Sequence, residues 1–247
     1  MIAILSDIHA NLEALEAVLD DMGELDVEAV YCLGDTVGYG PDPSECLDVM
    51  MHFQVAILGN HEEAARGEPE GFTPEAAAAA RWTRQRLLTP QEGGESPAAR
   101  QRFMEKLPST HEEGDFLYVH ASPRDPTREY IYPRDATDSG KMWEIFRMIK
   151  RYCFVGHTHL PGIFTDSFKF YAPPDLQEGA WPLQERKIIC NVGSVGQPRD
   201  GDWRACYVLL EDNAIYFRRV EYDMKKTLKK IKQHPQLRNT LSYYQTS

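Results

Sequence analysis

Five short apolar runs in this chain each stop on a residue able to bind a cation or a proton, and that pattern restricts the fold more than any other feature. Asp7-Ile8-His9 follows Ile2 to Ser6, Gly34-Asp35 follows Ala29 to Leu33, and Gly59-Asn60-His61 follows Val55 to Leu58. His120 ends the run from Phe116 to Val119, and Gly156-His157-Thr158-His159 the run from Tyr152 to Val155. Apolar runs this short, bounded by polar or glycine-rich turns, read as fully buried strands. In an open α/β sheet the carboxyl ends of the strands line one crevice where ligands bind. The five ends are predicted to aim at one place.

Helical patterns separate the first three runs. Leu12, Leu15, Val18, Leu19 and Met22 recur at three- and four-residue spacing after the N-cap residue Asn11, and Gly23 closes that helix. A second helix is predicted from Pro43 and Ser44 to about His52, so the first three strands should be parallel with right-handed crossovers. Residues 67–107 differ, being rich in Ala, Arg and Glu with apolar positions at helical spacing from Pro74 to Leu88 and from Pro97 to Leu107. They read as a helical insertion, a pair of helices covering the sheet. Another helix is expected near Lys141 to Lys150. Strands follow around Ile163 to Phe164, Phe168 to Tyr171, Lys187 to Cys190, Cys206 to Leu210 and Ala214 to Val220, the last two joined by Glu211-Asp212-Asn213 as an antiparallel pair. A basic helix spans Lys225 to Lys232, and the polar tail from His234 is expected to fray. We read one α/β domain over 1–247.

Composition narrows the function. The run Met1 to Leu5 has no basic leader and is cut by Asp7 and His9, so it reads as a strand, not a signal peptide. With no apolar stretch of membrane-spanning length, a cytoplasmic protein without a membrane partner is expected. Its five cysteines are scattered singly, which argues for free buried thiols over disulfides or a thiolate metal site. A formal net charge of -11 repels nucleic acid, so no duplex partner is expected. An anionic substrate would need a local reversal of sign.

Spacing adds detail. Residues two apart on an extended segment face the same way, which pairs Asp7 with His9 and His157 with His159. Glycines at 34, 59 and 156 precede ligand-type residues, where a missing side chain permits close backbone approach. Oxygen and imidazole donors without sulfur suit Mn, Fe, Zn, Co, Ni or Mg. Singly, each residue has an ordinary explanation: His120 as a satisfied histidine, Asp7 as a helix cap, Asn60 and Gly34-Asp35 as turn residues. Five strand ends all finishing on costly polar groups do not.

Asp-x-His, Gly-Asp, Gly-Asn-His-Glu, a lone His and Gly-His-Thr-His, in this order over residues 7 to 159, resemble the signature of the calcineurin-like metallophosphoesterase superfamily. The run Asn191 to Arg199 extends the resemblance toward a bacterial and archaeal branch of small phosphodiesterases. The fold so implied is a sandwich of two mixed β-sheets flanked by helices, in four layers. The resemblance further implies two divalent ions, manganese first, one held by Asp7, His9 and His159 and the other by Asn60, His120 and His157, with Asp35 bridging. It puts His61 beside the leaving group and implies hydrolysis of a phosphate ester by a metal-bridging hydroxide. Only two of the seven ligands are anionic, so the loaded centre stays positive and supplies the sign reversal.

Protein phosphatases and symmetrical diadenosine tetraphosphatases of that superfamily carry an arginine shortly after Gly-Asp, whereas here the run is Gly34-Asp35-Thr36-Val37-Gly38-Tyr39-Gly40. A small phosphodiester is therefore the expected substrate, with a monoester or dinucleoside polyphosphate as alternatives. Tyr39, Arg124, Arg128 and Arg199 lie in loops beside the motifs and are candidate substrate contacts. A catalytically dead scaffold of the same fold is disfavoured because every ligand and His61 are retained. An oxygen-activating di-iron protein would instead carry Glu-x-x-His pairs on bundle helices.

Overall fold

The computed structural model describes residues 1–244. Its first half runs β1 (Ile2–Leu5), α1 (Leu12–Gly23), β2 (Ala29–Cys32), α2 (Pro43–Met50), β3 (Val55–Ala56), α3 (Asn60–Arg66), α4 (Pro74–Leu87), α5 (Pro97–Lys106), β4 (Thr110–Glu113) and β5 (Phe116–Val119). It continues with α6 (Ser139–Phe146), β6 (Tyr152–Val155), β7 (Gly162–Thr165), β8 (Lys169–Tyr171), β9 (Ala180–Pro182), β10 (Ile188–Asn191), β11 (Ala205–Leu210), β12 (Ala214–Val220) and α7 (Met224–Gln233). A 3-10 segment, Pro235–Tyr244, closes the described chain. No helix among the described residues is long and apolar enough to cross a membrane.

Two six-stranded mixed sheets result, in the orders β3-β2-β1-β11-β12-β9 and β4-β5-β6-β10-β7-β8. The strands β1, β2 and β3 are parallel, as are β5, β6 and β10, while β11, β12 and β7 join antiparallel. Period-two alternation divides each strand between two cores. Ile4, Tyr31, Val208 and Leu210 of one sheet meet Tyr118, Phe154, Ile163 and Cys190 of the other between the layers. Ala3, Leu5, Cys32, Tyr207 and Leu209 face outward onto α1 and α2. On the opposite side Val119, Cys153, Val155 and Ile189 face α6. Helix, sheet, sheet, helix is thus the layer order, and the carboxyl ends of β1, β2, β3, β5 and β6 share one end of the sandwich.

Two sequence expectations need correction, and two strands were not foreseen. β4 and β9 are not legible as strands: Thr-His-Glu-Glu has no apolar run and Ala-Trp-Pro ends on proline, and both lie on sheet edges, where neither property is penalised. The tail does not fray over residues 235–244, because Leu237 and Tyr244 are buried with Ala79 and Trp82 of α4. The insertion helices α4 and α5 pack chiefly against α2, α3 and the 3-10 tail instead of spreading over a sheet. The five cysteines are free and buried.

Candidate metal centre

The loops leaving the parallel strands are laced together by backbone hydrogen bonds. Asp7 N–H donates to Gly34 C=O at 3.1 Å, His9 N–H to Asp35 C=O at 2.9 Å, and Gly156 N–H to His120 C=O at 2.8 Å. The segment after β10 joins the two sheets, with Val195 N–H on Ser6 C=O and Gly196 N–H on Asp7 C=O, each at 3.0 Å. A Cβ on Gly59 would overlap the Asp35 carboxylate and one on Gly156 the Asp7 carboxylate, so both glycines permit the close approach their positions suggest.

Asp7 does meet His9, though not by strand alternation, whereas His157 and His159 part to different donor groups, His157 with Asp35 and His120 and His159 with Asp7 and His9. All four residues have positive φ, from 47° to 65°. Of the nine non-glycine residues in this conformation among those described, Asp7, His9, Ala10, Asp35, Tyr39, His157 and His159 belong to these loops. Each such backbone costs ~1–3 kcal/mol and persists only where its surroundings over-determine it. The lacing hydrogen bonds do so here.

What the strain achieves is a ring of acceptor atoms. His9 Nε2 lies 3.1 Å from His159 Nε2, and Asp7 Oδ1 lies 3.6 Å and 3.2 Å from those two nitrogens. His120 Nε2 lies 3.1 Å from both His157 Nδ1 and Asn60 Oδ1. Asp35 Oδ2 sits between, 3.9 Å from His9 Nε2 and 3.4 Å from His120 Nε2. All seven residues converge, and six of them fall into three-residue donor groups whose atoms lie within 4.8 Å of one another.

The other ring nitrogen of each histidine decides what this ring can hold. His9 Nδ1 faces Val37 C=O, His120 Nδ1 faces Leu33 C=O, His159 Nδ1 faces Gln197 C=O and His157 Nε2 faces Arg128 C=O, at 3.3, 2.9, 2.5 and 3.3 Å. Carbonyls only accept, so the proton stays on the outer nitrogen and the inner one presents a bare lone pair. Lone pairs and carboxylates facing one another at about 3 Å repel unless a cation lies among them. Asp7 Oδ1 is buried without a hydrogen-bond partner. The donor set and the orphaned oxygen both fit divalent metal ions.

At one histidine a proton takes the place of the cation. Burial lowers the His120 pKa, but the Asp35 charge beside it prevails and pushes it up to about 9. Burial would raise the pKa of Asp35, yet the His120 and His61 charges hold the carboxyl below its ordinary range. Burial pushes His157 down to about 3 and His159 to about 4. His61 is also pushed down by burial, to about 3, and is a neutral ring at pH 7. It shares a donor group with His9 and Asp35, but its Nδ1 is buried without a partner, packed where Gly38 leaves room. That missing carbonyl tie separates His61 from the other four.

A family model for the calcineurin-like phosphoesterase superfamily domain matches residues 1–214. The chain belongs to that superfamily. This phosphoesterase is 35% identical over 242 residues to protein MJ0912 of Methanocaldococcus jannaschii, covering 94% of this chain and 91% of that one. It is 33% identical to a metallophosphoesterase of Sphaerobacter thermophilus, whose crystal structure superposes with a TM-score of 0.83 over 99% of this chain and 98% of the other. Protein PH1004 of Pyrococcus horikoshii shares the fold at 20% identity, with a TM-score of 0.76 over 99% and 98%. The enzyme is thus a hydrolase of phosphoric ester bonds from a metal-dependent family, with His and Asp clusters able to bind metal.

Several residues that position the phosphoesterase ring carried no assigned role in the sequence. Glu62 is fully buried and its carboxylate accepts the N–H groups of Asp35, Thr36, Val37 and Gly59 at 2.8 to 3.1 Å, clamping the Gly-Asp loop. Burial pushes its pKa up to about 7. Its sequence signals are its place in Gly59-Asn60-His61-Glu62 and the capping-box spacing from Gly59. Asn191 donates to Gly156 C=O and Thr158 Oγ1, and the Ser194 hydroxyl to Asp7 C=O, which gives the Asn191 to Gln197 run a physical role as a cradle for both ends of one donor group.

The candidate substrate contacts scatter. Tyr39 stacks edgewise on His9 and lies against His61. Arg199 bonds Gln197 Oε1 and lies over the Tyr243 ring. Arg128 is at the mouth, paired with Glu63. Arg124 is bound by Glu129 and Glu144 and is not brought to the ring. A cavity of about 550 Å³ between α3, α4 and α5 contains none of the donors. A second, of about 290 Å³, is lined by Asn60 and His157 and opens over them.

Proposed function

We propose that this protein is a binuclear, metal-dependent phosphodiesterase acting on a small substrate. The observation that carries the reading is Asp35, whose Oδ2 reaches toward His9 on one side and His120 on the other while Oδ1 accepts His61 N–H at 2.8 Å. Asp7, His9 and His159 would hold one ion and Asn60, His120 and His157 the second, with Asp35 shared. When bound, such ions supply the charge that draws in phosphoryl oxygens and lowers the pKa of the attacking water. Manganese suits the nitrogen and oxygen donors.

The chain's own contribution is to fix the donors before substrate arrives, through the carbonyl ties and the Glu62 clamp, so that little reorganisation accompanies reaction. His61 is neutral, which makes it a hydrogen-bond donor to the departing oxygen, not a source of a full proton. A diester is favoured by the shortage of uncommitted positive side chains. No arginine follows Asp35, Arg128 is paired with Glu63, and Arg199 is engaged by Gln197 and Tyr243. A monoanionic diester needs less neutralisation than a dianionic monoester. A cavity of about 290 Å³ and a net charge of -11 point to a small ester over a nucleic-acid duplex. Five free buried thiols accord with a cytoplasmic protein.

Metal analysis followed by steady-state kinetics tests this. Protein reconstituted with Mn²⁺ should retain two ions per chain and hydrolyse bis-p-nitrophenyl phosphate with a higher kcat/KM than p-nitrophenyl phosphate. One ion per fully active chain would overturn the binuclear reading, and preference for the monoester the diester reading.

A further inference from the structure

The cavity over Asn60 and His157 is walled by four aromatic residues drawn from separate parts of the chain: Tyr39, Phe72, Tyr130 and Tyr243. Tyr130 is 42% exposed yet stacks on His157, with ring centroids 4.0 Å apart and an interplanar angle of 23°. Phe72, at the start of the insertion, meets His61 edgewise at 4.9 Å. Tyr243 lies 5.2 Å from Tyr39 and carries Arg199 over its face. Tyr243 belongs to the 3-10 tail, which follows residues 1–214 matched by the family model. Leu237, Thr240 and Tyr244 are buried on either side of it, and the Thr240 hydroxyl reaches Tyr39 C=O at 3.2 Å, so the tail is docked against the site.

Aromatic rings left partly open to solvent around one cavity mark a binding surface for an apolar, flat group. Resting on the phosphodiesterase reading above, we infer that the C-terminal tail completes a slot for a planar aromatic arm of the substrate, such as a nucleobase, with Tyr243 and Phe72 as the specificity-determining side chains. The phosphate would then lie on the donor ring below, and the flat arm against the tyrosine and phenylalanine faces. Every base offers a π-face, so such stacking selects for planarity instead of for one base.

Two esters with the same leaving group isolate the slot: thymidine 5′-(p-nitrophenyl phosphate) and methyl p-nitrophenyl phosphate, assayed with the Mn²⁺-loaded full chain. The nucleoside ester should be preferred by ~10-fold or more in kcat/KM, and Tyr243→Ala and Phe72→Ala should each cut that preference by ~5- to 50-fold, mainly through KM, while Tyr243→Phe keeps it. Equal kcat/KM for the two esters in the unaltered enzyme would overturn the inference. So would a Tyr243→Ala variant that loses the same factor on both, which indicates a purely structural tail. If p-nitrophenyl phosphate is hydrolysed and neither diester is, the diester reading fails. Calorimetric titration then decides the slot: thymidine 5′-phosphate binding more tightly than methyl phosphate, with the difference lost in Tyr243→Ala, upholds it, and equal affinities overturn it.

Discussion

Around the donor ring Asp7, His9 and His120 are wholly buried and four histidines are tethered by backbone carbonyls, whereas at the rim Tyr130 is 42% and the Arg128 side chain 56% exposed. The ring takes its geometry from strained loops that hold one another through main-chain hydrogen bonds. Rim positions depend on side-chain stacking and ion pairs contributed by the insertion, the loop after β5 and the tail. A reaction needs donors fixed within fractions of an ångström, which backbone-anchored side chains provide. Selecting among substrates needs shape and charge that can vary without disturbing those donors. On the function proposed above, the contrast places chemistry at the ring and selectivity at the rim.

Asp35→Asn should disturb that division most. The amide keeps the shape but removes the charge that both donor groups share, and its N–H₂ can turn a donor toward lone pairs. Loss of bound metal and a fall of at least ~10³-fold in kcat/KM are expected, more than for loss of one transition-state hydrogen bond. Metal per chain and kcat/KM are the measurements; an Asp35→Asn enzyme with full metal and an unchanged rate would show that the ring is not the reaction centre.

His61→Ala asks whether a ring residue without a carbonyl tether behaves as a ligand. The proposed hydrogen bond to the leaving oxygen predicts a kcat lower by ~10²- to 10³-fold with metal content unchanged. If metal is lost instead, His61 is a fifth donor and the tether argument is wrong.

Much of the ring was legible because each donor follows an apolar run, and a run of buried strand is readable from sequence alone. The route by which Asp7 meets His9 was not: alternation in an extended segment joined those two for an incorrect reason and His157 to His159 wrongly, since all four have positive φ in loops held by hydrogen bonds to distant segments. Glu62 stood in plain view beside His61, but its four N–H partners come from two separate loops and leave only a capping-box trace. The rim was the least legible. Phe72 and Tyr243 look like ordinary apolar positions in a helical insertion and a polar tail, and only tertiary packing brings them to one cavity.

Removing metal should expose the electrostatics of the ring as a pH dependence of stability. The unfolded chain protonates its histidines near pH 6.5. Below that value His61, His157 and His159 stay neutral in the fold while their unfolded counterparts bind protons, so stability falls as pH drops from 6.5 toward 4. Above it His120 keeps its proton up to about 9 when folded and loses it near 6.5 when unfolded, so its contribution, up to ~3 kcal/mol, is lost as pH rises from 6.5 through 9. Chelated protein should therefore have its highest Tm near pH 6.5. The metal-loaded protein requires His120 unprotonated and should lack the alkaline decline. A Tm of the chelated protein that climbs steadily from pH 6.5 to 9 would contradict the donor arrangement.

The smallest effect separates two arginines that look equivalent in sequence. Arg124 and Arg199 both sit in loops beside a motif, yet the guanidinium of Arg124 is bound by Glu129 and Glu144, while Arg199 hangs over Tyr243 and bonds Gln197, whose carbonyl tethers His159. Partly exposed ion pairs such as those of Arg124 are typically worth ~1 kcal/mol or less. Arg124→Ala should leave kcat/KM within about twofold and shift Tm only slightly, in keeping with the near-neutral effect of most surface substitutions. Arg199→Ala should raise KM for a phosphodiester several-fold while sparing metal content, because it removes a charge held against Tyr243 of the cavity wall and none of the donors. A larger kinetic loss at Arg124 than at Arg199 would mean that the loop after β5 closes over the substrate, and the boundary between ring and rim would have to be redrawn to include it.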